Sequence, residues 1–162
     1  MRTAATSAFR LPAVAICPAN AAFFAFGLAT LQASALLGLR DRCAALYDCA
    51  VQLDGAGTHV VWDLGLAGKH AAIAAAAGGQ WERAERHLDE AAERAEAIGD
   101  RLDTADLLRW RAQARLWRNA AGDRAEARAF AEAARDAYAA IGMKRHVEVA
   151  EALLAAAVGE SA

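Results

Sequence analysis

The chain has 162 residues, a length that fits one domain, and alanine supplies 48 of them whereas proline supplies 2. Because alanine is the strongest helix former and proline the strongest breaker, this composition favours an all-α fold. The formal net charge of −2 is too small to indicate nucleic acid or an anionic membrane as the main partner. Three cysteines, an odd number, do not make a disulfide framework, so we expect reduced thiols in a cytoplasmic protein.

The first feature along the chain is a run without charged residues, from Leu11 to Leu39. Pro12 and Pro18 interrupt this run, so only its second part can form an uninterrupted apolar helix. We therefore predict a disordered leader at residues 1–20 and a buried first helix behind it. An exported or membrane-anchored protein remains the alternative, because basic residues precede the run as they do in a signal peptide.

Seven helices are predicted to follow the leader, each separated from the next by a glycine or a glycine-containing turn. Ile98-Gly99-Asp100 and Ile141-Gly142-Met143 are typical of left-handed helix C-caps. The short breaks make neighbouring helices antiparallel, which gives three hairpins and a final helix. The predicted bounds are 21–37, 40–54, 59–77, 80–97, 101–119, 123–140 and 143–157, with a disordered tail at 158–162.

A spacing of glycine, small residue, large residue and alanine recurs three times, at intervals of 41 and 43 residues. The glycine separates two helices, the small residue permits close approach, and the other two continue the same stripe of the second helix. Such recurrence is typical of stacked helical hairpins, because one hairpin cannot bury its apolar face alone. The copies are Gly38, Cys43, Tyr47, Ala50; Gly79, Ala84, Leu88, Ala91; and Gly122, Ala127, Ala131, Ala134, with the third large residue displaced to Phe130.

No pattern of residues indicates a catalytic centre, a cofactor site or a metal site. No two of the four histidines stand four residues apart, and Cys43 and Cys49 are six apart, on different faces of one helix. We therefore predict no enzymatic activity and no cofactor. The alternative is a small helical enzyme or ligand-binding bundle that uses His70 or His87 with nearby carboxylates.

Four tryptophans are the largest side chains in the predicted helices. We expect Trp81 to be largely buried between the helices of the second hairpin. Trp110 and Trp117 are seven residues apart and therefore lie on one face of a helix. Core packing is the favoured role, and an exposed aromatic anchor for a partner peptide is the alternative.

The repeat spacing resembles the tetratricopeptide-type repeat, and more closely the C-terminal repeat region of large bacterial regulators, the LuxR-type and cyclase-associated signalling ATPases. The resemblance covers about residues 22–157, so residues 21–157 are identified as one tetratricopeptide-like domain. It implies a right-handed α-solenoid of about three antiparallel hairpins with a C-terminal capping helix. The matching stretches include Ala45-Leu46-Tyr47, residues 79–88, Ile98-Gly99-Asp100-Arg101, residues 122–127 and Ile141-Gly142-Met143.

The resemblance implies a role in protein binding within a bacterial signalling or transcriptional regulator. ATP hydrolysis and direct DNA binding do not carry over, because the chain contains no phosphate loop. We therefore expect a non-enzymatic protein-interaction module, either free-standing or a detached C-terminal fragment of a larger protein. The sequence leaves its oligomeric state open.

In tetratricopeptide-type stacks the first helix of each pair lines the concave face. Counting back from the turn glycines places Lys69 and Arg109 on that face, with Gln113 one turn beyond Arg109. Two cations and an amide suit an acidic or carboxylate-ended peptide, held by charge-assisted hydrogen bonds. The alternative is that these three are ordinary solvated residues.

Overall fold

A computed structural model gives the structure of residues 21–55, 60–61 and 65–159. This part of the chain is mostly helical, which confirms the predicted all-α class. The only sheet within it is a ribbon of two short antiparallel strands, in which Val60 pairs with Leu66 and Val61 with Gly65. In chain order the elements are α1 (Ala21–Leu36), α2 (Arg40–Ala44), α3 (Tyr47–Gly55), β1 (Val60–Val61), β2 (Gly65–Leu66), α4 (Ala67–Ala77), α5 (Trp81–Ile98), α6 (Arg101–Arg118), α7 (Asp123–Ala140) and α8 (Lys144–Val158).

Two predicted helices differ from the observed ones. The helix predicted at 40–54 is divided into α2 and α3, where the Leu46 amide donates to the Cys43 carbonyl, a bond that tightens the turn. The helix predicted at 59–77 begins only at Ala67, because the residues before it form the ribbon. Adjacent valines favour a strand, and Gly65, the first residue of β2, adopts a positive φ of 77°.

The three repeat glycines share one backbone conformation. Gly38, Gly79 and Gly122 have φ of 70°, 74° and 88°, and the predicted left-handed caps at Gly99 and Gly142 are confirmed at 71° and 77°. Tyr47 and the displaced Phe130 are half-buried, whereas the other small, large and alanine positions that follow the repeat glycines are buried. These are Cys43, Ala50, Ala84, Leu88, Ala91, Ala127, Ala131 and Ala134.

The helices pack in an ordered series. α1 contacts α4, α4 contacts α6, and α6 contacts α8; in addition, α4 packs on α5, α6 on α7, and α7 on α8. α2 and α3 pack against α1 and α4. Each pair of helices, α4 with α5 and α6 with α7, therefore contacts the helices that precede and follow it along the chain.

α4 lies at the centre of this arrangement, and all eleven of its residues are buried. Nine of them are alanine, glycine or isoleucine, so neighbouring helices can approach closely on every side. The other two are Lys69 and His70, whose polar groups must find partners inside the protein. Lys69 and His70 are therefore the first candidates for a functional site.

None of the helices within residues 21–159 that the structure describes is long and apolar enough to cross a membrane. The predicted leader at residues 1–20 lies outside the described residues. α8 extends to Val158, one residue beyond the predicted domain end, and residues 160–162 of the predicted tail also lie outside the described part.

Candidate functional site

A buried ionic network joins the first turn of α4 to the first turns of α6. The Lys69 ammonium donates to an oxygen of Asp103 and, at 2.9 Å, to Oδ2 of Asp106. Asp103 also accepts the Leu66 backbone N–H at 2.6 Å. Lys69 is only 2% exposed and Asp103 only 1%. The network therefore fixes the entry of the chain into the central helix.

The network continues to α7 through a tyrosine. The Tyr138 hydroxyl donates to Asp106, and Arg109 Nε donates to the Tyr138 oxygen at 3.1 Å. Burial alone would raise the pKa of Asp106, but the charges of Lys69 and Arg109 outweigh it and hold that pKa below its usual range. Burial raises the pKa of the Tyr138 phenol, which stays neutral. Three helices are thus joined by charged and neutral hydrogen bonds.

The structure brings two of the three predicted binding residues together. Lys69 and Arg109 meet at Asp106, whose carboxylate lies 3.6 Å from Arg109 Nη2. Gln113 is half-buried, one turn farther along α6. Both cations are paired with carboxylates of this chain, so they brace α4, α6 and α7; their binding of an acidic peptide stays a prediction.

The counter-ions are the residues that sequence reasoning missed. One stripe of α6 carries four polar residues at intervals of three, three and four positions. They are Asp103, Asp106, Arg109 and Gln113. A polar stripe on a helix predicted to face an alanine-rich neighbour is the signal that could have identified the network. Tyr138 gives no comparable signal.

His70 is the second polar residue of the central helix. Its Nδ1 donates to the Leu66 carbonyl at 3.1 Å, and its Nε2 has no partner in the described structure. Burial, together with the positive charge of Lys69, lowers the pKa of His70 to about 4. The ring is therefore neutral at pH 7 and enclosed in the core.

A second cluster lies near the C-terminal end of α4, and we call it the aromatic surface. It consists of Tyr47, Trp81, Trp117, Arg40 and Arg83. The three rings are half-buried and border the small buried residues of α4, α5 and α6. The Arg83 guanidinium lies 5.8 Å from the Tyr47 ring centre, and the Arg40 guanidinium lies 5.4 Å from that of Trp117. Two cations thus lie over two of the three half-buried rings.

Backbone and side-chain contacts hold these two arginines in place. Arg40 Nε donates to the Ala77 carbonyl at 3.3 Å, at the end of α4. Arg83 donates to the side chain of Gln80 at 2.8 Å. Next to them, residues 79–83 line an open pocket of about 490 Å³. The surface therefore combines an accessible hollow with tryptophan, tyrosine and arginine, the residue types that dominate binding hot spots.

Tyr47 is oriented by a hydrogen bond to His87. The Tyr47 hydroxyl lies 3.1 Å from His87 Nε2, and His87 Nδ1 faces the Glu90 carboxylate at 3.8 Å, too far for a hydrogen bond. Burial lowers the pKa of His87, so the ring is neutral. Since Nδ1 faces a carboxylate, we assign the proton to it, and Nε2 accepts from Tyr47.

The tryptophans divide between core and surface. Trp110 is 3% exposed, which confirms its core role, and its ring centre lies 6.2 Å from that of Trp117, as expected for one helix face. Trp81, predicted to be largely buried, is partly buried and packs against small buried residues of α4, α5 and α6. It stands at the start of α5 and lines the open pocket.

The described residues include no group of three or more histidine, cysteine, aspartate or glutamate side chains that could hold a metal ion. Comparisons with protein-family models, with curated proteins and with solved structures give no match to this chain. The tetratricopeptide resemblance therefore stays a prediction from the sequence.

Proposed function

We propose that this chain is a non-enzymatic protein-interaction module that binds an acidic peptide segment at the aromatic surface. The observation that supports this most directly is the position of two arginines over half-buried aromatic rings, beside an open pocket. An acidic segment with one apolar anchor fits this chemistry, because the rings take the apolar group and the guanidinium groups take the carboxylates.

The two arginines keep donors for such a partner. A guanidinium has five N–H donors, and within the described structure Arg40 and Arg83 each use one in the hydrogen bonds given above. Their other N–H groups can donate to a carboxylate of the partner while the guanidinium groups stay near the rings. The aromatic side chains are already ordered, so binding costs little side-chain entropy.

The proposal also includes how the helices are arranged. The contact series α1, α4, α6 and α8 and the shared conformation of the repeat glycines support a right-handed solenoid of about three hairpins, with α8 as its cap. The module would act in a bacterial signalling or transcriptional regulator, free-standing or as a detached C-terminal part. An adjacent reading frame that encodes an ATPase domain would support that setting.

Burial of the two candidate catalytic imidazoles favours the non-enzymatic role. His70 is enclosed in the core, and His87 is 8% exposed with its Nε2 occupied by Tyr47. A general base must reach its substrate within hydrogen-bond distance. Neither ring presents a free nitrogen to solvent in the described structure.

Selection from a random peptide display library tests the proposal without knowledge of the partner. We expect the full chain to enrich peptides that combine acidic residues with one aromatic or leucine residue. Arg83→Glu should abolish this enrichment, whereas Arg128→Glu on α7, also an exposed arginine, should retain it. Failure to enrich any acidic motif, or equal enrichment by the Arg83 variant, would contradict the proposal.

A further inference from the structure

The two ends of the helix series differ in the chemistry of their outer faces. At the C-terminal end, α8 exposes Lys144, Arg145, Glu148 and Glu151. At the other end, α1 has no charged residue, and its main contacts among the described elements are with α2, α3 and α4. Stacked-helix proteins need polar outer faces at both ends to stay soluble as monomers. α1 does not provide one.

The outward face of α1 forms a single stripe, which we call the outer stripe. Its exposed residues follow the three- and four-residue spacing of one helix face, while Leu28, Leu31 and Ala35 point into the core. Two of the large residues are highly exposed, Phe26 at 75% and Leu37 at 73%. Among the side chains that the structure describes, the stripe consists of Phe26, Ala29, Thr30, Ala33 and Leu36 of α1 and of Leu37 in the turn after it.

We propose that the outer stripe binds the outer stripe of a second copy of this chain, with the two α1 helices antiparallel. A twofold axis near Leu31 and Gln32 would pair Phe26 with Leu37 of the other copy, and Thr30 with Ala33. Large residues then meet at both ends, and small residues meet in the middle, where the helices approach closely. The stripe is therefore complementary to itself, as an isologous interface requires.

The charge and the size of the outer stripe both bear on which molecule binds it. An uncharged face has no electrostatic attraction for a charged partner, whereas a second copy repeats the same uncharged surface without repulsion. The stripe contains only six residues, whereas a standard interface buries ~800 Å² per partner and contains about 20–30 residues a side. We therefore expect a weak dimer that forms only at high protein concentration.

Sedimentation velocity of the full chain, from low micromolar to submillimolar concentration, tests the proposal. We expect the wild type to shift from monomer to dimer as its concentration rises. Leu37→Glu should remain monomeric with an unchanged helical circular dichroism spectrum. Val158→Glu changes an exposed apolar residue at the opposite end, 62% exposed, and should dimerise as the wild type does. A wild type that stays monomeric, or a Leu37 variant that still dimerises, would overturn the proposal.

Cross-linking tests the antiparallel register. When Phe26→Cys and Leu37→Cys chains are mixed and oxidised, peptide mass spectrometry should find links mainly between positions 26 and 37. Links of 26 to 26 and of 37 to 37 in excess would show a parallel arrangement and contradict the proposed pairing. Two results would assign another occupant: a monomer that binds phosphatidylcholine vesicles through Leu37, or dimers that form only after residues 2–20 are deleted.

The inference does not depend on the proposed peptide binding. Residues of the outer stripe belong to α1 and to the turn that follows it, and those of the aromatic surface to α2, α3, α5 and α6. Leu37→Glu should leave peptide enrichment unchanged, and Arg83→Glu should leave dimerisation unchanged. The two proposals can therefore fail separately.

Discussion

Lys69 is a charged residue in a helix that has no exposed side. Removing a charge from water costs several kcal/mol, and a buried ion is tolerated only when its partners are well placed. Asp103 and Asp106 supply these partners, and Tyr138 and Leu66 complete their hydrogen bonds. When one of these side chains is removed, the remaining charged groups stay buried without a partner. The free energy of unfolding therefore falls by more than it does when a surface ion pair is broken.

Lys69→Met should lower the free energy of unfolding by about 3–5 kcal/mol at pH 7, because two buried carboxylates lose their shared cation. Urea denaturation at pH 7 measures the difference. Arg128→Met removes an exposed cation that pairs with Glu132 on the surface, and it should change stability by less than about 1 kcal/mol. A similar small loss for the Lys69 variant would show that the network does not stabilise the fold.

Gly65 is constrained by both its conformation and its neighbour. Its φ is 77°, and a β-carbon there would overlap the Asp103 carboxylate, which lies 2.6 Å from it at Oδ2. Gly65→Ala should therefore cost about 2–4 kcal/mol. Gly99→Ala is the matched control, since Gly99 has φ of 71° with open space around it, and it should cost about 1 kcal/mol. Equal losses by thermal denaturation would contradict the contact with Asp103.

His70 makes stability depend on pH. Its folded pKa of about 4 is below the ordinary value of 6.5, so the unfolded chain binds more protons between these values. Stability should therefore fall as the pH drops from 6.5 to 4, by about 3 kcal/mol from this residue. His70→Gln should reduce the slope of unfolding free energy against pH in that window, although His87 still contributes in the same direction. An unchanged slope would contradict the burial of this imidazole.

At the scale of the helices, Trp110 and Trp81 should contribute unequally. Trp110 lies in the core of α6, so Trp110→Ala should cost about 3–5 kcal/mol. Trp81 is half-buried at the start of α5, so Trp81→Ala should cost about 1–2 kcal/mol, in proportion to the smaller area that it buries. Chemical denaturation of both variants gives the comparison. A larger loss of stability for Trp81→Ala than for Trp110→Ala would show that Trp81 is a core residue and would contradict its assignment to the aromatic surface.

The helices from α5 to α8 could be predicted closely from the sequence, because glycine turns and helix-forming residues agree there. The observed bounds differ from the predicted ones by one residue in most cases. The ribbon before α4 could not be predicted, since Val60, Val61 and Gly65 are few and stand inside an otherwise helical pattern. The contact of Leu66 with Asp103, 37 residues away, stabilises the late start of α4, and no local signal encodes it.

For the whole molecule, the candidate sites depend on contacts between helices that are distant in sequence. Lys69 and Arg109 could be placed on one side from the repeat register alone. The pairing of these two cations with carboxylates of the same chain could not be predicted, because it depends on how α4, α6 and α7 are rotated against each other. The aromatic surface joins Tyr47 of α3, Trp81 of α5 and Trp117 of α6, which the repeat pattern does not relate.

A charge swap at the aromatic surface tests the proposed function most directly. Isothermal titration calorimetry would compare an acidic peptide from the display selection with the same peptide carrying lysine in place of its central acidic residue. We predict that Arg83→Glu weakens the acidic peptide by about tenfold or more, equivalent to about 1.4 kcal/mol, and that the lysine peptide regains much of this loss. Equal affinity of wild type and variant for the acidic peptide, with the fold intact, would contradict the account.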